Sequence, residues 1–145
     1  MRILQLTNTD IGAVAVDTLM PLGAVTRKYC CGTAGQNTFA VSTTGANTIT
    51  LNEKGYYKVT YSATVGAVAV GVVTLNLLVN GEVVLTKSET ATAVGDFVDI
   101  TIPYVVRVLP CCPINLSALT IQVENADTSV AITDGTSNII VEKIG

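Results

Sequence analysis

The stretch Gly55–Leu85, GYYKVTYSATVGAVAVGVVTLNLLVNGEVVL, decides the fold. From Gly55 onward the residues alternate without interruption. Tyr57, Val59, Tyr61, Ala63 and Val65 form one face. Tyr56, Lys58, Thr60, Ser62 and Thr64 form the other. A period of two is the repeat of an extended strand, so the first set is expected to face a core. The small-residue run Gly66–Gly71, GAVAVG, is too slight to fill a core and reads as a glycine-bounded loop. Val73–Val79 and Glu82–Lys87 then flank Asn80-Gly81. Asn-Gly tolerates the positive φ angles of a two-residue type I′ turn, which predicts a hairpin here.

The same pattern extends in both directions. Downstream, Phe97–Val108 alternates again: Val98, Ile100, Ile102, Tyr104, Val106 and Val108 share a face. Pro103 lies opposite them and has no N–H for a ladder, so it belongs at an edge, a bulge or solvent. Leu119, Ile121 and Val123 alternate in the next candidate strand. Val130–Thr133 and Asn138–Ile144 read as a closing hairpin around Asp134-Gly135. Upstream, Arg2–Asn8, Ala24–Tyr29, Asn37–Ser42 and Thr48–Leu51 are strand candidates separated by turn-rich segments. Ile11–Leu22 is apolar and is expected to be an edge or contact segment. Together these features predict an all-β jelly-roll sandwich of about eight to ten antiparallel strands. It forms a single domain over residues 1–145, with 1–22 a possible attachment or edge segment.

Composition narrows the function. Of 145 residues, 49% are hydrophobic and only 13% are charged, with a formal net charge of −3. Soluble domains normally carry about 25% charged residues. Either a Thr/Ser/Asn-rich surface makes up the difference, or subunit contacts hide apolar surface. Oligomerisation is the expectation, with Tyr56, Tyr104, Val14, Val16 and Leu19 as contact candidates. No basic run is present, which argues against nucleic acid as a partner. No apolar run reaches the length of a membrane span, which argues against a membrane. The first residues lack the apolar core of a secretory signal, so synthesis in the cytoplasm without export is expected.

The chain has no histidine. That excludes Ser-His-Asp and Cys-His catalysis and removes the commonest general base. Asp96 and Asp99 are spaced to point to opposite faces of a strand. Asp127 and Asp134 read as turn acids; a weak Ca²⁺ site built from them and loop carbonyls is the alternative. The cysteines form two vicinal pairs, Cys30-Cys31 and Cys111-Cys112. Three readings stay open for them: reduced thiols packed as small hydrophobes, a cross-bridge between the pairs, or a thiolate metal site. The tyrosines Tyr56, Tyr57, Tyr61 and Tyr104 are expected in core or interface rather than in a glycan-stacking surface. No cofactor is expected.

Gly55, Tyr57, Val59 and Tyr61 resemble the G-x-Y-x-V/F-x-Y opening of the long central strand in the C1q/TNF-like superfamily. Leu77 to Gly81, LLVNG, resembles the hairpin that follows it there, and Ile139–Ile144 resembles the closing strand. The likeness runs from Thr48 to Gly145. Within the superfamily, GYYKVTYSATV, VTLNLLVNGEVV and SNIIVEKIG are similar to small proteins encoded among phage and prophage structural genes. The resemblance implies a compact homotrimer. The absence of tryptophan and the presence of only two phenylalanines, Phe39 and Phe97, thin its aromatic contacts. The expected role is a non-enzymatic structural component of a phage virion: a trimeric capsid decoration, head fibre or fibre-tip protein. Its partners would be its own copies and a capsid or fibre protein. The alternative is a recognition module for a host-surface polysaccharide.

Overall fold

The computed structural model describes residues 2–29, 38–42, 47–108 and 119–145. They form eleven strands: β1 (Arg2–Asn8), β2 (Thr18–Leu19), β3 (Ala24–Tyr29), β4 (Phe39–Val41), β5 (Ile49–Leu51), β6 (Gly55–Ala67), β7 (Gly71–Val79), β8 (Glu82–Ala91), β9 (Phe97–Val108), β10 (Leu119–Asn125) and β11 (Ile132–Lys143). One sheet has the order β3-β1-β11-β6-β9; the other has β4-β5-β10-β7-β8, with β2 added beside β10. Neighbouring strands pair antiparallel. The count exceeds the expected eight to ten by one: β4 and β5 fall within the candidates Asn37–Ser42 and Thr48–Leu51, whereas β2, with two residues, is too short to show a period.

β6 is the spine of the first sheet. Tyr57, Val59, Tyr61 and Val65 are fully buried, while Tyr56, Lys58, Thr60, Ser62 and Thr64 face outward. Across the interior stand Leu75, Leu77, Ile121 and Val123 of the second sheet, also fully buried. Burying each such aliphatic side chain contributes roughly 1.5–3 kcal/mol, and this facing pair of stripes holds the two sheets together. At one end Phe39 meets Tyr57 edge to face, with ring centroids 6.0 Å apart. The Tyr57 hydroxyl donates to the Glu53 carbonyl at 2.5 Å, which anchors the turn entering β6.

The β7–β8 hairpin turns at Asn80 (φ 52°) and Gly81 (φ 80°), the positive angles of a type I′ turn. Asn80 also ties the turn to β10: its N–H donates to Thr120 O at 3.0 Å, and its Oδ1 accepts from Thr120 N at 2.9 Å. β9 follows its predicted faces and forms one edge of the five-stranded sheet. Pro103 therefore sits on a strand with a single ladder partner, opposite Thr60. The other edge, β3, exposes every residue and carries Arg27-Lys28.

Three expectations are corrected. Asp134-Gly135 is not a turn. Residues 132–143 form one continuous strand with an irregularity near Ile132 and Asp134, paired along β6 and, from Ser137 onward, along β1. Gly135 is there for close approach: a Cβ on it would collide with the Thr64 carbonyl and stand 3.0 Å from Val65 Cα. Ile11–Leu22 is not simply an edge or contact segment. Ile11, Val14, Met20 and Leu22 are buried in the core, so this segment closes the sandwich beside β10 and β11. Finally, β6 runs on through Gly66 to Ala67, which shortens the GAVAVG loop to the three residues Val68–Val70, two of them exposed valines.

Candidate functional site

The five contact candidates do not make one surface. Val14 is 5% exposed and exchanges backbone hydrogen bonds with Ile132 at 2.9 Å in each direction. It is a core residue and is corrected as a subunit contact. Tyr104 points inward from β9 and packs half-buried against the same core. Leu19 is half-buried opposite Glu124. Only Val16 (40% exposed) and Tyr56 (45%) are open. They lie at opposite ends of the molecule: Val16 near the end of β10, Tyr56 at the start of β6.

The acidic candidates are also separated by role. Asp96 braces the β8–β9 loop, its Oδ2 accepting from Thr92 N, Thr92 Oγ1 and Ala93 N at 3.2, 2.9 and 2.9 Å. Asp99 accepts from Thr64 Oγ1 at 2.5 Å across the β6–β9 pair. Asp134 lies within β11, not in a turn, and its Oδ1 accepts from Gly135 N at 2.7 Å. Asp127 lies in the turn after β10. Among the described residues no group of three or more acidic, histidine or cysteine side chains gathers as a metal site. Cys30, Cys31, Cys111 and Cys112 lie outside the described residues.

The outer face of the five-stranded sheet is organised in rows set by register. One row carries Tyr29, Ile3, Glu142, Lys58 and Val105; the next carries Arg27, Gln5, Ile140, Thr60 and Pro103. Ile3 and Ile140 are half-buried, and Val105 is exposed. Beyond them the face turns to hydroxyls and amides. Thr7, Asn138, Ser62 and Thr101 share a row, and Thr136, Thr64 and Asp99 the next. Asn138 Oδ1 accepts from Gln5 Nε2 at 2.8 Å and from Thr7 Oγ1 at 3.2 Å. A shallow cavity of about 390 Å³ lies over these polar rows. The face thus has an apolar-rich half and a hydroxyl-rich half.

Charge divides along the same axis. Seven of the eight lysines and arginines lie in the half where β1 and β6 begin and β3, β9 and β11 end: Arg2, Arg27, Lys28, Lys54, Lys58, Arg107 and Lys143. All six aspartates lie in the opposite half, at or near the other ends of those strands and in the turns there. No reading along the chain finds this, because the basic residues come from six separate segments and only pairing brings them together. In the basic half, Lys54, Tyr56, Arg107 and Lys143 line a cavity of about 360 Å³ with Gly55, Val108 and Gly145. The Arg107 guanidinium carbon stands 5.4 Å from the Tyr56 ring centroid, within cation–π range. Lys143 Nζ donates to Gly145 O at 3.2 Å. Behind the cavity Arg2 pairs with Glu53. Burial pushes the Glu53 carboxyl up, but the Thr38 hydroxyl, the Arg2 pair and the Lys143 charge outweigh it and hold it below its ordinary value.

Inside the sandwich the titratable groups are tyrosines. Burial, with the Glu53 charge adding to it, pushes the Tyr57 phenol up to about 12, although its bond to the Glu53 carbonyl and Arg2 act the other way. Burial raises Tyr61 further, offset in part by the nearby Ser137 hydroxyl. Ser137 lies near enough to act on the Tyr61 phenol, yet neither hydroxyl makes a hydrogen bond among the described residues. These phenols are neutral and enclosed, so they offer no acid–base chemistry at ordinary pH.

No family model matches the sequence, and no curated protein sequence matches it. Solved structures do match over essentially the whole chain. The globular domain of zebrafish complement 1qA superposes with a TM-score of 0.68 at 10% identity, covering 100% of this chain and 98% of that one. Eiger TNF from S. frugiperda gives 0.68 at 11% identity, covering 99% and 92%. PRD1 vertex protein P5 gives 0.59 at 18% identity, covering 99% and 97%. At these identities the likeness establishes the fold: the chain is a C1q/TNF-like jelly roll, as the Gly55–Tyr61 and Leu77–Gly81 motifs implied.

Proposed function

We propose that this chain is a non-enzymatic structural protein of a bacteriophage particle, acting as a trimeric capsid decoration, head fibre or fibre-tip protein. The observation that carries the reading is the full-length likeness to PRD1 vertex protein P5, a phage vertex protein. Other structural neighbours include C1q and TNF domains, which are non-enzymatic and agree with a purely structural role. Three copies would pack the outer faces of their five-stranded sheets about a common axis. Ile3, Ile140, Pro103 and Val105 supply the apolar contact, and the hydroxyl rows supply short polar contacts without long charged side chains to immobilise. The work done is mechanical: a stable block presented on a particle, joined to a capsid or fibre partner. Virion residence follows from that role.

Native mass spectrometry at micromolar concentration tests the assembly. A trimer supports the reading, and a stable monomer refutes it. Ile140→Asp, which places a charge on the proposed axis, should shift a trimer to monomers while preserving the β-sheet circular dichroism. Mass spectrometry of purified, protease-washed particles tests the location. Absence of the chain from particles that infect normally would overturn it.

A further inference from the structure

The outermost row at the basic end of the five-stranded sheet is given no part in the trimeric contact described above, which uses the two rows next to it. The row Ile144, Tyr56 and Arg107 is the last one at that end of the sheet, beyond the Ile3–Val105 and Ile140–Pro103 rows. Its cavity combines three features. Lys54 and Arg107 are exposed and Lys143 is half-buried, so three cations surround one opening. The Tyr56 ring is half-open to solvent, with a guanidinium already stationed over it. Gly55 (φ 137°) keeps the opening clear, because a Cβ there would collide with the Gly145 carbonyl and crowd the Lys143 side chain. A flat ring suits the apolar face of a sugar, and flanking cations suit a carboxylate or phosphate on it. The three acids in this half, Glu53, Glu82 and Glu142, leave its seven cations in excess, and Glu53 is already engaged by Arg2 and Thr38. The opposite half, crowded with aspartates, would repel the same ligand.

We infer that the Lys54–Tyr56–Arg107–Lys143 end is a binding site for an anionic polysaccharide, one whose sugar units carry carboxylate or phosphate groups. Tyr56 stacks on a sugar ring, while Arg107, Lys54 and Lys143 take the acidic substituent. The site depends on neither the trimer nor the virion, so its failure leaves that reading untouched, and the reverse holds.

Isothermal titration calorimetry of the intact protein at low salt tests it. Probes are oligogalacturonate, a neutral maltooligosaccharide, sodium polyphosphate and duplex DNA. Oligogalacturonate should bind and the neutral sugar should not. Arg107→Gln/Lys143→Gln should weaken oligogalacturonate binding about tenfold or more, by loss of two charge-assisted contacts. Tyr56→Ala should weaken oligogalacturonate but leave polyphosphate unchanged, because only the sugar has a face to stack. Lys87→Gln, which removes the one basic residue outside this half, should change nothing. If the double variant fails to fold, Lys54→Gln in the exposed turn carries the same test with a smaller loss. No binding by oligogalacturonate at millimolar ligand, or binding indifferent to the basic variants, overturns the site. Duplex DNA or polyphosphate bound more tightly than the sugar and insensitive to Tyr56→Ala also overturns it, since the end would then be a general polyanion surface.

Discussion

Tyr61→Phe removes a hydroxyl that is buried and has no hydrogen-bond partner among the described residues. In most proteins a buried phenol loses a bond worth about 0.5–1.5 kcal/mol on this change. Here there is none to lose, and the variant escapes the cost of holding an unpaired hydroxyl away from water, about 1–3 kcal/mol. The void left by one oxygen atom subtracts a few tenths of a kcal/mol, at about 24 cal/mol per Å³. Ser137 Oγ is unpaired before and after, so it cancels. The net expectation is a gain of about 1 kcal/mol, or roughly 3 °C in melting temperature for a domain of this size. Urea unfolding followed by circular dichroism reads it as a higher midpoint at unchanged slope. A second signature is the alkaline limb. Tyr61 titrates above its ordinary value in the fold, and Tyr57 near 12. Because both folded values are raised, their contributions are complete below about pH 10 and are lost as pH climbs through 10 to 12. Each titrating phenol removes about 1.4 kcal/mol per pH unit, so Tyr61→Phe should flatten this loss. A loss of more than about 1 kcal/mol at neutral pH would sink the reasoning, because the hydroxyl would then have a strong partner, such as an enclosed water.

The other expectations are simpler. Gly135→Ala should destabilise by about 1–3 kcal/mol, because β6 and β11 must separate to admit the methyl group; an unchanged urea midpoint would remove the close-approach argument. Asn80→Ala should cost about 1–2 kcal/mol, from a positive-φ residue and the lost bond from Thr120 N, whereas Asn80→Gly should recover the backbone part. Glu53 has a lowered carboxyl, so its contribution is present above the ordinary carboxylate range and fades as pH falls through its folded value. Glu53→Gln should therefore flatten the acid limb of stability measured by pH-jump fluorescence or circular dichroism, and an unaltered limb would contradict that.

Legibility from the sequence follows sequence distance. Tyr57, Val59 and Tyr61 were readable as a core stripe because period two is a property of one strand and needs no partner. Asn80-Gly81 was readable because the turn's positive φ angles are a local demand. Asp134-Gly135 carries the same kind of signal and misleads, since its glycine answers to the carbonyl of Thr64, some seventy positions away. Apolar Ile11–Leu22 suggested an exposed contact, but its hydrophobic side chains fill a gap between sheets that only the closed sandwich defines. The basic half is the extreme case: no window along the chain contains it, and register alone assembles it.

Both rims of the five-stranded sheet carry a residue that discourages another strand from joining. On β9, Pro103 offers no N–H. On β3, adjacent Arg27 and Lys28 would have to be desolvated or face like charges on an identical neighbour. Any β-sheet protein held at high local density, copy beside copy, runs a hazard of rim-to-rim fusion into extended fibrillar sheets. These two rims turn that route away, so crowding favours contacts made through side chains on faces and ends, which dissociate and re-form without the chain having to unfold.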